Sequence, residues 1–133
     1  MIVLDRDVLV KLRNSNRTVI QHLQQYRTDE WTIPSHVAWE SCQRHSSRTA
    51  MAKELQHLRS SFDRILPFTC DTALEAAYLD EKLQSHGVVL DPVDLLNLAT
   101  AREATGTFVT HNKNDFDRPP VREIAEVDVI LTE

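Results

Sequence analysis

Residues 110–117 read "THNKNDFD" and grow out of the short apolar run "TFVT" (107–110). A chain with only two glycines here ends a strand in two carboxylates, two amides and a lysine. As a surface turn, this composition needs no further reason. As one wall of a metal site, it needs other acids to meet it in space. The order of elements upstream therefore decides what the stretch means.

That order is an alternation. "MIVL" (1–4) is a compact apolar run that predicts a buried strand. Val8, Leu9 and Leu12 follow at helical spacing, with Asp5 or Asp7 available as a cap. A second helix is predicted over 17–26, with Val19, Ile20 and Leu23 on one face, and "WTIP" (31–34) predicts a strand ended by Pro34. Helices are expected over 35–45 and 48–64, the latter with Met51, Leu55, Leu58 and Phe62 as its apolar face.

"ILPFT" (65–69) predicts another strand. The helix expected over 71–86 has Leu74, Ala77 and Tyr78 among its apolar positions, and Gly87 sits where a left-handed C-cap belongs. A further helix over 91–105 is closed by Gly106 in the same way, and "TFVT" and "VDVIL" (127–131) supply the last two strands. Strands separated by helices imply right-handed crossovers and a mostly parallel sheet covered on both faces. Such sheets bind ligands at the carboxyl ends of their strands, near a topological switch point.

Bulk composition sets the class. At 133 residues, with 41% hydrophobic and 26% charged, the chain is expected to form one globular domain over 1–133. No apolar run approaches the roughly 20 residues that cross a bilayer, and no basic leader precedes one, so a soluble, unexported, cytoplasmic protein is expected. Cys42 and Cys70 have no ligand spacing and are expected to be buried, reduced thiols. The net charge of −5 argues against broad nonspecific nucleic-acid binding. Yet residues 41–64 carry Arg44, Arg48, Lys53, Arg59 and Arg64 against Glu54 and Asp63, and an acidic segment follows, so a nucleic-acid partner stays open.

Four acids fall at the same edge of the expected sheet: Asp5 ending the first strand, Glu40 in the first turns of the helix after the second, Asp94 opening the helix at 91, and Asp115 after "TFVT". Carboxylates forced together repel and raise one another's pKa. A hard dication such as Mg²⁺ or Mn²⁺ relieves that repulsion and suits phosphodiester hydrolysis. Each acid also has a structural reading. Asp5 or Asp7 can cap a helix, "DPVD" (91–94) resembles a capping box by itself, Glu40 can be a solvated helix acid, and Asp115 can be a turn residue.

The motifs together resemble the PIN-domain ribonucleases, most closely the VapC-type toxins of toxin–antitoxin pairs. The likeness runs through "VLDRDVLV" with Asp5 and Asp7, Glu40 in "IPSHVAWE", Asp94 in "DLLNLATA", and "THNKNDF" with Thr110, Asn112 and Asp115. Asp94 and Thr110 lie 16 residues apart, as part of the same pattern. The resemblance implies a PIN-like three-layer α/β sandwich with a five-stranded, mostly parallel central sheet. It implies a metal-binding and catalytic quartet of Asp5, Glu40, Asp94 and Asp115, with Thr110, Asn112 and Asp7 supporting it. It also implies Mg²⁺ or Mn²⁺ as cofactor, an RNA substrate such as tRNA or ribosomal RNA, homodimerisation, and a small antitoxin whose tail fills the groove.

Departures from the family pattern are Asn97 and Leu98 in place of Ile and Ala, and Arg6 in place of Thr or Ser. Arg6, Arg44 and Arg48 are candidate RNA-phosphate contacts, with a solvent-facing Arg6 as the alternative. Asp91 is read as a cap, and direct catalysis by His36 or His111 is not expected of a hard-metal site. Two other function classes compete: a noncatalytic PIN-like partner-binding module, and a receiver-type phosphoacceptor domain. The receiver needs an Asp ending the third strand, whereas "ILPFTCD" delays Asp71 to after Cys70.

Overall fold

The computed structural model describes residues 1–131. The last two residues of the expected 1–133 span lie outside them. Five strands run in the order β1 (Ile2–Leu4), β2 (Trp31–Pro34), β3 (Arg64–Leu66), β4 (Thr107–Thr110) and β5 (Val127–Val129). They form one sheet ordered β3-β2-β1-β4-β5, and every pairing is parallel. The chain steps outward from β1 to β3, then returns to the other side of β1 for β4. The switch point is therefore the β1–β4 seam.

Strand alternation sorts the side chains into two cores. Ile2, Leu4, Ile33, Val109 and Ile130 face α1 (Arg6–Arg13), α2 (Arg17–Leu23), α3 (Ser35–Gln43) and α4 (Arg48–Ser61). Val3, Leu66, Phe108 and Val129 face α5 (Cys70–Gln84), α6 (Pro92–Glu103), α7 (Lys113–Phe116) and α8 (Pro119–Ile124). The result is the three-layer sandwich expected. Among the described residues no helix is long and apolar enough to cross a membrane.

Several local expectations need correction. In α5 the core face is Thr72, Ala76, Leu79 and Leu83, while Leu74 and Tyr78 stand 70% and 46% exposed. The helix carries apolar residues on both faces, and periodicity alone chose the outer one. Cys70 opens that helix exposed and Cys42 is half-buried, so neither free thiol is a core residue. Residues 113–116, expected as a turn, form a short helix, and 119–124 form another. The first is capped by Asn112, whose side chain accepts from the Asp115 N–H.

Gly87 takes the predicted left-handed conformation, at φ 77°. At the end of α6 that conformation falls instead on Thr105, at φ 59°. The following Gly106 serves close approach: a Cβ there would stand 2.8 Å from Val3 Cγ2. A helix end needs a left-handed residue, and the start of β4 beside β1 needs a missing side chain; these are two positions, not one.

Gly106→Ala is expected to destabilise the fold by about 1–3 kcal/mol through overpacking. Thr105→Gly is expected to stabilise it by about 1 kcal/mol by relieving the left-handed penalty. Urea unfolding midpoints check both. The reverse ordering would return the cap to Gly106.

Candidate active site

Asp5 follows β1 directly and caps α1, accepting from the Arg6 N–H at 2.8 Å. Its other oxygen accepts from the Thr110 hydroxyl at the end of β4, also at 2.8 Å. The Thr110 oxygen in turn accepts the Asn112 N–H at 3.0 Å, and the Asn112 amide donates to Asp115 Oδ2 at 2.7 Å. Asp7 lies in the first turn of the same helix, where its carboxylate accepts the His111 N–H at 3.2 Å. Thus β1, β4 and the "THNKNDFD" turn are tied together at the carboxyl edge of the sheet.

Asp94 arrives from α6, a helix running back along the sheet, so its first turn meets the same edge. The expected capping box does not form: Asp91 occupies the N-cap position but makes no side-chain cap bond. Glu40 comes from α3, with Arg6 Nη1 3.7 Å from its carboxylate. Asp5, Arg6, Asp7, Val10, Lys11, Glu40, Asp94 and Asn112 line one cavity of about 440 Å³. Asp115 is close enough to Asp94 to act on it electrostatically.

The charges answer to this crowding. Burial raises Asp5 from its ordinary 3.8 to about 7, with the Asp7 charge adding to it. Burial also raises Asp94 to about 6, helped by the neighbouring charges of Asp115 and Asp91. Glu40 is raised as well, mainly by burial and against the pull of Arg6. Three carboxylates shifted upward around one cavity mark it as a candidate functional site.

The donor set is hard oxygen throughout, which fits Mg²⁺ or Mn²⁺ in chemistry. Among the described residues, no group of three or more His, Cys, Asp or Glu side chains is gathered closely enough to hold an ion as it stands. Thr110, Asn112 and Arg6 hold the carboxylates of Asp5, Asp115 and Glu40 turned toward protein partners.

The sequence model of the PIN domain family matches residues 2–121. The chain belongs to the PIN domain family. Its fold is similar to that of VapBC2 from Rickettsia felis bound to a promoter DNA fragment, with a TM-score of 0.73, 18% identity, and 97% of this chain and 98% of that chain covered. It is similar to FitAcB from Neisseria gonorrhoeae, with a TM-score of 0.72, 22% identity and 96% of each chain covered. It is also similar to a toxin–antitoxin complex from Klebsiella pneumoniae, with a TM-score of 0.73, 19% identity and 100% of each chain covered. No curated protein sequence matches the chain.

Within this PIN domain the sequence-predicted residues divide. Asp5, Arg6, Asp7, Glu40, Asp94 and Asn112 share the cavity, and Thr110 and Asp115 are hydrogen-bonded to its lining residues Asp5 and Asn112. Arg44 and Arg48 are not brought there. Arg44 bonds Glu54 at 2.9 Å, and Arg48 lies in a separate depression with Thr49, Lys53 and Gln56. Arg6 faces the pocket and Glu40 rather than solvent alone. The buried Asn97, one of the departures, leaves its Oδ1 without a hydrogen-bond partner. For the receiver reading, β3 is an edge strand that runs into Pro67 and Phe68, with no acid at its end.

Sequence reasoning missed Lys11. The signal was present, since Lys11 stands four residues after Asp7 and so on the same helix face.

Asp5 and Asp94 hold protons in the fold that an unfolded chain releases near pH 4. Between about pH 4 and pH 7 the native state binds more protons, so its stability falls as pH rises through that window. Asp94→Asn is therefore expected to melt a few degrees above wild type near pH 7.5 without divalent cations, the gap closing near pH 4. Thermal melts across that range measure it. A lower melting point for Asp94→Asn near pH 7.5 would remove the repulsion argument.

Proposed function

We propose that this PIN domain, taken as one unit over residues 1–133, is a Mg²⁺- or Mn²⁺-dependent endoribonuclease. It is the toxin of a cytoplasmic toxin–antitoxin pair, acts as a homodimer, and slows translation by cutting tRNA or ribosomal RNA. The observation that carries this reading is the convergence of three upshifted carboxylates, from β1, α3 and α6, on one cavity at the β1–β4 seam. The family membership and the toxin–antitoxin complex among the similar folds support it.

In this proposal Asp5, Asp94 and Asp115 hold the cation, and Glu40 holds it or orients the attacking water. When bound, the cation would lower the pKa of that water and offset charge building on the phosphate. The Arg6 N–H and the Thr110 hydroxyl fix the two Asp5 oxygens, and Asn112 fixes one of Asp115, so the acids meet a cation in set directions. Asp7, bonded to the His111 N–H, holds the turn against α1. Attack of water on phosphorus breaks the bond to the 3′ oxygen, leaving 5′-phosphate and 3′-hydroxyl ends. A small antitoxin would silence the enzyme by laying its tail in the same groove.

The test is cleavage of total tRNA and ribosomal RNA by purified protein in Mn²⁺, Mg²⁺ or EDTA. Discrete products are expected with either metal and none with EDTA. Asp94→Asn is expected to lose more than about 100-fold, beyond the 10–100-fold typical of an outer-shell change. Absence of cleavage together with absence of Mn²⁺ binding would instead support a noncatalytic partner-binding module.

A further inference from the structure

Two cations line the acid cavity, Arg6 and Lys11. Their partners differ in kind. Arg6 Nη1 lies 3.7 Å from the Glu40 carboxylate, so it already offsets one of the acids. Lys11 makes no ion pair among the described residues. Its ammonium donates instead to His111 Nδ1 at 2.8 Å, a contact across 100 residues of sequence. Asp7, one turn before it and well placed to take a lysine, spends its carboxylate on the His111 backbone N–H.

The Lys11–His111 contact constrains the imidazole. A ring that accepts at Nδ1 carries its proton on Nε2. That Nε2 atom is buried and has no hydrogen-bond partner. The ring therefore holds the ammonium at the expense of its own unsatisfied donor, and the hold is a weak one. A phosphate oxygen is a stronger acceptor for an ammonium than a neutral imidazole, because both partners are then charged. If Lys11 moves to a phosphate, it uncovers only a neutral nitrogen. If Arg6 does so, it uncovers the Glu40 charge beside three other acids.

We propose that Lys11 is the phosphate-binding residue of this cavity, with His111 positioning it. Lys11 takes a backbone phosphate of the RNA strand at the site, an assignment that rests on the nuclease reading above. It replaces Arg44 and Arg48, which stand elsewhere. His111 places the ammonium at the wall of the cavity, which spares it the search through rotamers that a free lysine would make.

The test is binding of fluorescein-labelled bulk tRNA and of a labelled poly(U) oligomer in EDTA, followed by anisotropy at several salt concentrations. Loss of one phosphate contact lowers the slope of log K against log salt by about 0.7 on a single strand. Lys11→Gln is expected to show that fall, with KM for cleavage raised several-fold and kcat largely kept. Lys11→Arg is expected to restore the slope. His111→Leu is expected to weaken binding while leaving the slope near wild type, since the charge remains. A Lys11→Gln slope equal to wild type overturns the assignment. So does a fall in slope that Lys11→Arg fails to restore. If wild type itself neither binds nor cuts either RNA, the nuclease reading fails and this assignment falls with it. Wild-type binding with an unchanged Lys11→Gln slope sinks the Lys11 assignment alone.

Discussion

The Thr110 hydroxyl donates to the Asp5 carboxylate across 105 residues of sequence, where the two central strands end. The rest of the site hangs from that bond. Because β1 and β4 are neighbours only through a crossover, their ends meet at the switch point, where no other strand covers them. Thr110 then passes the constraint to Asn112 through a backbone N–H, and Asn112 passes it to Asp115. One short chain of hydrogen bonds so fixes Asp5 and Asp115, the first and last of the four candidate site acids, relative to each other. Networks of this kind, fully satisfied and partly buried, rigidify the groups they join.

Two buried glutamate and aspartate environments in this protein make an instructive contrast. Glu54 is buried, yet Arg13, Arg44 and His45 converge on it and hold its carboxyl down at about 2. That is a structural ion cluster, joining α1, α3 and α4. Asp5 and Asp94 are moved the opposite way, first by burial and then by the charges of neighbouring acids. The fold satisfies one buried carboxylate fully and leaves the others crowded. Crowded carboxylates are tolerated where a cation can later relieve them, which is why the direction of a shift separates scaffold from site.

The sheet was legible because its strands are short, apolar and punctuated, as "MIVL", "WTIP" and "TFVT" show. The acids at their carboxyl ends were legible because parallel topology forces those ends to one edge. Less local facts stayed hidden. Leu74 and Tyr78 share helical spacing with a core face but point outward, since periodicity cannot say which of two apolar stripes meets the sheet. "TG" at 105–106 suggested a glycine cap, whereas crowding by Val3 from a strand over a hundred residues away put the glycine to another use. The basic run at 41–64 looked like a phosphate track, but its Arg44 is drawn to Glu54, an acid whose burial no local pattern announced. Lys11 was overlooked for the converse reason, since its partner His111 is remote in sequence.

If the crowded acids are the resting form of a divalent-cation site, calorimetric titration of the purified protein with Mn²⁺ near pH 6 will reveal it. Saturable binding accompanied by proton release is expected, because Asp5 and Asp94 hold protons at that pH and give them up to bind the ion. Binding is expected to be abolished in Asp5→Asn. Binding that releases no protons and survives Asp5→Asn would place the ion elsewhere, and no binding at all would leave the acids without the partner that their crowding implies.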